Sequence, residues 1–367
     1  MGSAQEVLDK VIGSEDFDHL VYIRLTEACN AYCEHCFIPK NPKKMEIADV
    51  YNVSKKIISI TNPGDRILIQ FHGGEPTILG VETLTSWALN LRVLLSSRTV
   101  LFGIQTNLIS FNEKWVEFYK EYCNSTVGVS YDTDIRYQRN SGKLSKEKYE
   151  QSFEINLRKL VSSGLTPYVV MTATKPFFNR FNSDESIVDW AEKRGVEYIH
   201  IETLTHSGYA VDNWNRIGVT HLEHSLGMSM MYRGYKSAKA NGTRVKISPF
   251  DGFSISIKSL VDHDPVGYGC LSGKCDSRFH TFDANGYQKG CTALTTDTLD
   301  TPVAINVIDL LAERSQRTIN CSDCMFTRIC NTGCLANQVV DSSNECSGHK
   351  IFLTTILQND SPRRESR

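Results

Sequence analysis

Six short β-branched runs alternate with amphipathic stretches between residue 21 and about residue 205, and this alternation constrains the fold more than any other feature of the chain. The runs are Val21-Thr26, Arg66-Phe71, Val100-Thr106, Val127-Tyr131, Tyr168-Thr172 and Tyr198-Thr203, each bounded by turn-forming residues. Between them, segments 46–60, 82–95, 113–122, 146–162 and 184–194 carry apolar residues three and four apart, as helices packed on a sheet require. Parallel strands need right-handed crossovers, and six in succession curl into an open barrel whose working face lies at the strand C-termini. The pattern therefore predicts an α/β fold, with a partial (β/α)6 barrel over residues 21–205. Residues 206–261 read as a bridging region with a helix near 219–240. Residues 262–350 read as a cysteine-rich α+β domain, flanked by the end segments 1–20 and 351–367.

The 40 basic and 42 acidic residues leave a formal charge of -2, too little to grip a nucleic acid backbone. No apolar run reaches the length of a membrane span, the first residues are polar, and Glu6 stands where a myristoylation signal needs Ser or Thr. A cytoplasmic protein is expected, with neither nucleic acid nor membrane as partner. Against that background the 12 cysteines stand out. Three lie between Cys29 and Cys36, eight between Cys270 and Cys346, and Cys123 stands alone as a small buried apolar side chain expected in the third helix. Cytosolic thiols stay reduced, so clusters this dense point to metal ligation.

Cys29, Cys33 and Cys36, spaced C-x3-C-x2-C, follow the first strand directly, on a loop above the barrel mouth. Three thiolates leave one iron of a four-iron cubane open, whereas structural zinc takes four protein ligands. The segment resembles the signature of the radical S-adenosylmethionine (radical SAM) superfamily, C-x3-C-x-aromatic-C, with His35 at the penultimate position. The resemblance implies a TIM-like partial barrel in which SAM chelates the open iron and is split reductively into methionine and a 5'-deoxyadenosyl radical. After the second strand, Gly73-Gly74-Glu75-Pro76 looks like the superfamily's GGEP element, in which glycines allow close backbone approach and Glu75 offers an anionic acceptor for the ammonium group of SAM. Gln105, Asn107, Ser130 and Leu204 sit at further strand ends, where related enzymes contact SAM, and Arg139 could meet its carboxylate bidentately.

The distal cysteines read Cys270-x4-Cys275, Gly286-x4-Cys291, Cys321-x2-Cys324-x5-Cys330-x3-Cys334 and Cys346. This pattern resembles the SPASM domain. The resemblance implies two auxiliary [4Fe-4S] clusters, one on Cys270, Cys275, Cys291 and Cys334, the other on Cys321, Cys324, Cys330 and Cys346. With the SAM-binding cluster that makes three. A hairpin near Phe279–Gly286, turning on Asn285-Gly286, would return Cys291 to Cys275. The alternative for these cysteines is structural zinc in a non-catalytic scaffold.

Radical SAM proteins with SPASM domains resemble enzymes that modify peptides. The expected function is maturation of a ribosomally made precursor peptide through an intramolecular C–C, ether or thioether crosslink, with a flavodoxin or ferredoxin as electron donor. Formylglycine formation, as in anaerobic sulfatase maturases, is an alternative. However, Thr292 stands where those enzymes usually place an acid after the cysteine matching Cys291. Dehydrogenation of a small sugar or nucleotide is another alternative. About 20 residues precede the first strand, leaving no expected room for a leader-binding domain. Tyr209, Trp214 and Tyr232 are candidates to line the substrate approach, and Asp276, Arg278 and His280 are candidates for proton transfer.

Overall fold

A computed structural model describes residues 17–38, 43–274, 278–289, 291, 297–298, 301–302 and 307–360. The chain begins β1 (His19–Thr26), β2 (Ala31–Cys33), α1 (Ile47–Ile60), β3 (Arg66–Gly73), α2 (Val81–Leu94), β4 (Thr99–Thr106) and α3 (Glu113–Tyr122). It continues with β5 (Thr126–Ser130), β6 (Arg136–Asn140), β7 (Lys143–Ser145), α4 (Lys146–Ser162), β8 (Thr166–Ala173), α5 (Lys175–Asn179), α6 (Ile187–Glu192) and β9 (Tyr198–Thr203). Then come α7 (Tyr209–Ile217), α8 (His221–Ala240), β10 (Lys246–Ser248), α9 (Phe250–Val261), β11 (Phe279–Phe282) and β12 (Gln288–Lys289). After the short pair β13 (Asp297–Thr298) and β14 (Thr301–Pro302) follow α10 (Val307–Asn320), α11 (Thr327–Cys330) and α12 (Lys350–Asp360).

All six strands expected from the sequence form, and they lie side by side in a sheet ordered β10-β9-β8-β5-β4-β3-β1-β11-β12. Every neighbouring pair is parallel except β11 with β12. Three further strands, β10, β11 and β12, extend the six. β10, from the bridging region, pairs with β9, and β11, from the cysteine-rich segment, pairs with β1 through Tyr22 opposite Thr281. The cysteine-rich segment thus contributes a strand to the barrel sheet itself. The bridging region holds helices α7, α8 and α9 around β10, so its polar, glycine-bearing sequence understated its order.

Alternation along each strand separates two environments. Val21, Ile23 and Leu25 of β1, Ile67, Ile69 and Phe71 of β3, and Val127 and Val129 of β5 are buried beneath the helices. Removing such side chains from water stabilises the fold by roughly 1.5–3 kcal/mol each. The opposite face carries Tyr22, Arg24, Gln70, His72, Gln105, Ser130, Tyr168, His200 and Glu202. A closed TIM barrel fills this interior with branched apolar side chains. Here the interior, referred to below as the chamber, is polar and mostly half-buried rather than packed with branched apolar side chains.

The expected two-residue hairpin turn at Asn285-Gly286 is corrected by the structure. Phe282 pairs with Gln288, so the loop is longer, and the turn closes through the Gly286 N–H donating to the Asp283 carbonyl at 2.9 Å. Ala284 and Asn285 are its central residues. Gly286 follows at φ 73°, a left-handed position suited to glycine. The Asp283 carboxylate accepts the N–H groups of Asn285 and Tyr287, both at 2.9 Å, and so fixes the loop length. Cys123 likewise sits just past α3 as its C-terminal cap, buried as expected, and burial raises its thiol pKa.

Candidate active site

The cysteine loop leaves β1 at Thr26 and is held from three sides. Below it, the Gly74 N–H donates to the Thr26 carbonyl at 2.8 Å and the Glu75 N–H to the Ala28 carbonyl at 3.0 Å. A Cβ on Gly74 would overlap the carbonyl oxygen of Ala28, so the two backbones approach this closely only with glycine there. Gly73, at φ 131°, faces Thr26 under the same constraint. The glycines expected to make room for a ligand therefore first make room for the cysteine loop.

Glu75 is buried at the junction of the β3 and β4 loops, where its carboxylate is held by four donors. It is 1% exposed, with one oxygen accepting from the Thr77 N–H (3.1 Å), the Thr77 hydroxyl (2.7 Å) and the Thr106 hydroxyl (2.8 Å). The other oxygen accepts the Asn107 N–H at 2.6 Å. These four donors fill the carboxylate and tie the loop after β3 to the end of β4, while burial raises its pKa.

Asn107, buried beside Glu75, points its amide at the cysteine loop: Nδ2 donates to Asn30 Oδ1 at 2.8 Å and lies 3.8 Å from Cys29 Sγ. On the second side lies the small antiparallel sheet β2-β6-β7, in which Cys33 pairs with Arg136. The Arg136 guanidinium donates to Cys33 Sγ at 3.4 Å and to Asp132 Oδ2 at 2.6 Å, and Asp132 also faces His35 Nε2 at 3.5 Å. Burial alone would lower the pKa of Arg136, but Cys33 and Asp132 outweigh it and hold the pKa well above its usual value. Arg139, the arginine expected from the sequence, is exposed and reaches only the Ala31 carbonyl, at 3.4 Å. No apolar alternation marks Arg136–Asn140, so the strand that aims Arg136 at a cysteine was not legible.

On the third side, α7 grips the loop. The Tyr209 N–H donates to the Cys36 carbonyl at 3.0 Å, and Arg216 Nε and the Tyr137 hydroxyl hold the Glu34 carboxylate at 2.6 and 2.8 Å. Leu204 packs here, 5% exposed, with Ile135, Ala210 and Ile217. Trp214 lies against this small cluster, and the Tyr209 ring lies tilted against Tyr32, 5.4 Å between centroids. Tyr232 is fully buried against Phe250 and Phe352, in the core and away from any approach path.

Within the chamber, Gln105 Nε2 donates to Ser130 Oγ at 2.8 Å, so two sequence-selected residues meet directly. Gly128 leaves the space over which Gln105 lies. His72 projects nearby, its pKa lowered to about 4 by burial and then by the Arg24 charge. A separate cleft of about 830 Å³ lies outside the chamber, lined by Thr133, Asp134, Lys175, Arg180 and Arg216, and contains none of the expected site residues.

In the distal region, Cys321, Cys324, Cys330 and Cys346 come together. Each of Cys321, Cys324 and Cys346 disfavours the Cys330 thiolate, and burial with that repulsion pushes the Cys330 thiol up to about 12. A side chain on Gly348 would overlap the Cys330 sulfur and touch that of Cys346. Arg317 braces the adjoining loop through the Cys334 and Asn337 carbonyls, at 2.9 and 2.8 Å. From the other expected set, Cys270 and Cys291 both act on Tyr22, in the chamber wall, whose hydroxyl pKa is raised by burial first. Cys275, Asp276 and Thr292 lie outside the described residues. His280 pairs with His19 at 3.1 Å, and burial lowers its pKa to about 4, leaving it a neutral packed ring rather than a ready proton carrier. Arg278 reaches the Asp18 carbonyl at 3.4 Å.

Among the described residues no three His, Cys, Asp or Glu side chains crowd around one point as ligands of a single ion. A cubane takes each thiolate on a different iron and so needs wider spacing than mononuclear zinc. The N–H donors directed at Cys29 and Cys33 suit anionic thiolate ligands, and the donor set fits such a cluster. No helix among the described residues is long and apolar enough to cross a membrane.

The chain is similar to the cysteine-type anaerobic sulfatase-maturating enzyme of Clostridium novyi (strain NT), 20% identical over 89% of this chain and 91% of that protein. Its fold matches native anSMEcpe with bound AdoMet and Cp18Cys peptide, with a TM-score of 0.69, 17% identity, and coverage of 92% of this chain and 95% of that one. It also matches Streptococcus suis SuiB bound to precursor peptide SuiA, with a TM-score of 0.58, 16% identity, and coverage of 94% and 77%. Residues 23–174, which carry the cysteine loop, the GGEP element and the first five chamber strands, match the model of the Radical SAM superfamily. That stretch of the chain is thus similar to the Radical SAM superfamily, and the chain as a whole shares its fold with anSMEcpe and SuiB.

Proposed function

We propose that this enzyme is a peptide maturase that removes two hydrogens from a precursor peptide and closes an intramolecular crosslink. Bound to Cys29, Cys33 and Cys36, a [4Fe-4S] cluster with SAM would supply a 5'-deoxyadenosyl radical, chemistry that no side-chain acid or base offers. Asn107 and Arg136 orient the thiolates, and Glu75 fixes the loop beneath them. Gln105 and Ser130 face the chamber where SAM would lie, with Gly73 and Gly74 at its edge. Leu204 and Arg139 act from outside it, through α7 and the β2-β6 pair.

The observation that carries the reading is the pairing of β11 with β1. It brings Cys270 and Cys291 within electrostatic reach of Tyr22, so one substrate carbon could lie between the radical source and an auxiliary electron acceptor. Both auxiliary clusters, on Cys270, Cys275, Cys291 and Cys334 and on Cys321, Cys324, Cys330 and Cys346, belong to this reading, as does a flavodoxin or ferredoxin donor. The peptides held by anSMEcpe and SuiB support a peptide substrate.

Formylglycine formation is the second reading, favoured by the similarity to the Clostridium novyi enzyme over 89% of this chain. One experiment separates the two. The anaerobically reconstituted protein is incubated with SAM, dithionite and either Cp18Cys or SuiA peptide, and the peptides are analysed by mass spectrometry. Loss of two hydrogens with a new crosslink in SuiA supports crosslinking. Conversion of the Cp18Cys cysteine alone to formylglycine overturns it in favour of the second reading.

A further inference from the structure

Oxidation of a substrate radical sheds a proton as well as an electron, so the chamber needs a base. Of the lumen-facing strand positions among the described residues, Glu202 near the end of β9 is the one carboxylate. Its side chain is 52% exposed, open to whatever enters. Behind it runs a chain of contacts: His200 Nε2 lies 2.9 Å from Glu202 Oε1, His200 Nδ1 2.8 Å from Ser248 Oγ, and Ser248 Oγ 2.7 Å from the Tyr268 hydroxyl. Tyr168 stacks on the His200 ring at 6.3 Å. A carboxylate only accepts, so His200 Nε2 donates to Glu202, and with that bond made Nδ1 can accept from Ser248 and Ser248 from Tyr268. This ordering holds Oε1 and leaves Oε2 facing the chamber. Glu202 is felt by His72 and Tyr22 across the lumen, which places it over the same space as the expected radical chemistry.

We propose that Glu202 is the catalytic base of the peptide oxidation, with His200 and Ser248 as positioning residues. The inference rests on the peptide-oxidation reading above. With SAM and its cluster bound, the 5'-deoxyadenosyl radical they supply would take a hydrogen atom from a substrate C–H bond, leaving 5'-deoxyadenosine and a carbon radical on the peptide. The radical carbon bonds to a second substrate atom, the bond from that atom to hydrogen breaks, and the proton goes to Glu202 Oε2. An oxidised iron–sulfur cluster, once bound, would take up the remaining electron, and the external reductant would supply the electron that splits SAM. The peptide thus loses two hydrogens, and the base acts after the radical has formed.

The test measures peptide oxidised per 5'-deoxyadenosine released, with Cp18Cys and SuiA peptides, for wild type, Glu202→Gln, Glu202→Asp, Ser248→Ala and Ser248→Thr. Iron content and thermal melting verify that each variant folds. Glu202→Gln is expected to lower the ratio about tenfold or more and to abolish its acid limb, with partial recovery in Glu202→Asp. His200, His72, Tyr22, Tyr168 and Tyr268 all face this carboxylate, so the limb is assigned by its loss in Glu202→Gln and not by its midpoint. Ser248→Ala is expected to lower the ratio severalfold, and Ser248→Thr to restore it. A wild-type ratio and pH profile in folded Glu202→Gln overturn the proposal. If the wild type releases 5'-deoxyadenosine but oxidises neither peptide, the peptide-oxidation reading falls, and the assigned base falls with it.

Discussion

Arg136 Nη1 stands 3.4 Å from Cys33 Sγ, on a strand whose register with β2 sets the two residues opposite each other. The cysteine nearest the centre of the loop thus has a fixed positive charge at its sulfur, and that charge is anchored in turn by Asp132. Hydrogen bonds and charge near cluster thiolates raise cluster potential and hold ligand geometry.

Replacing Arg136 by Gln is therefore expected to move the potential of the SAM-binding cluster to more negative values. Reductive SAM cleavage should slow by about 10- to 100-fold. Redox titration followed by electron paramagnetic resonance checks the first effect and release of 5'-deoxyadenosine the second. An unchanged potential would show that Arg136 serves only the fold.

Gly74→Ala places a methyl group into the Ala28 carbonyl, in a backbone contact that cannot yield by turning a side chain. Destabilisation of about 1–3 kcal/mol is expected. The loss should concentrate in the cysteine loop, so iron content falls along with the melting temperature. A Gly64→Ala control, where an added Cβ meets nothing within 4 Å, should retain iron even though φ is +90° there.

His349 is stacked on His224 at 4.1 Å, and burial lowers its pKa to about 3. Its folded pKa lies below the unfolded value, so its contribution to stability is present above about pH 6.5 and is lost as pH falls towards the folded pKa. The protein should melt at progressively lower temperature between about pH 7 and pH 5, and less steeply in His349→Phe. His224 shifts the same way, so the double variant should be flatter still.

Replacing Cys321, Cys324, Cys330 and Cys346 together should remove about four irons per chain, as should replacing Cys29, Cys33 and Cys36. Elemental analysis of anaerobically purified protein checks both. Zinc in place of iron at the distal set would point to a structural site there.

The barrel was legible because each strand alternates a buried apolar residue with a lumen residue and each crossover has helical spacing. Val21, Ile23 and Leu25 alone predict that one face of β1 is covered. β10 and β11 are three and four residues long, too short for alternation to register, and only pairing with β9 and β1 defines them. The same limit hid β6 and so Arg136, because its sequence Arg-Tyr-Gln-Arg-Asn is polar on both faces. Among site residues, the cysteines and the Gln105–Ser130 pair were readable from motif spacing and strand-end position. Glu75 was readable from its motif, but its four donors were not, because they come from two separate loops that meet its carboxylate only in three dimensions. His200, Glu202 and Ser248 carry no motif. Their meaning lies in the parallel register that sets Ser248 beside His200.

Release of 5'-deoxyadenosine from SAM by anaerobically reconstituted, dithionite-reduced protein tests the central claim most directly. The wild-type chain should be brown, iron-loaded and active in this assay, and Cys29→Ala, Cys33→Ala and Cys36→Ala should each abolish release. A colourless, zinc-bound wild type that leaves SAM intact would contradict the account.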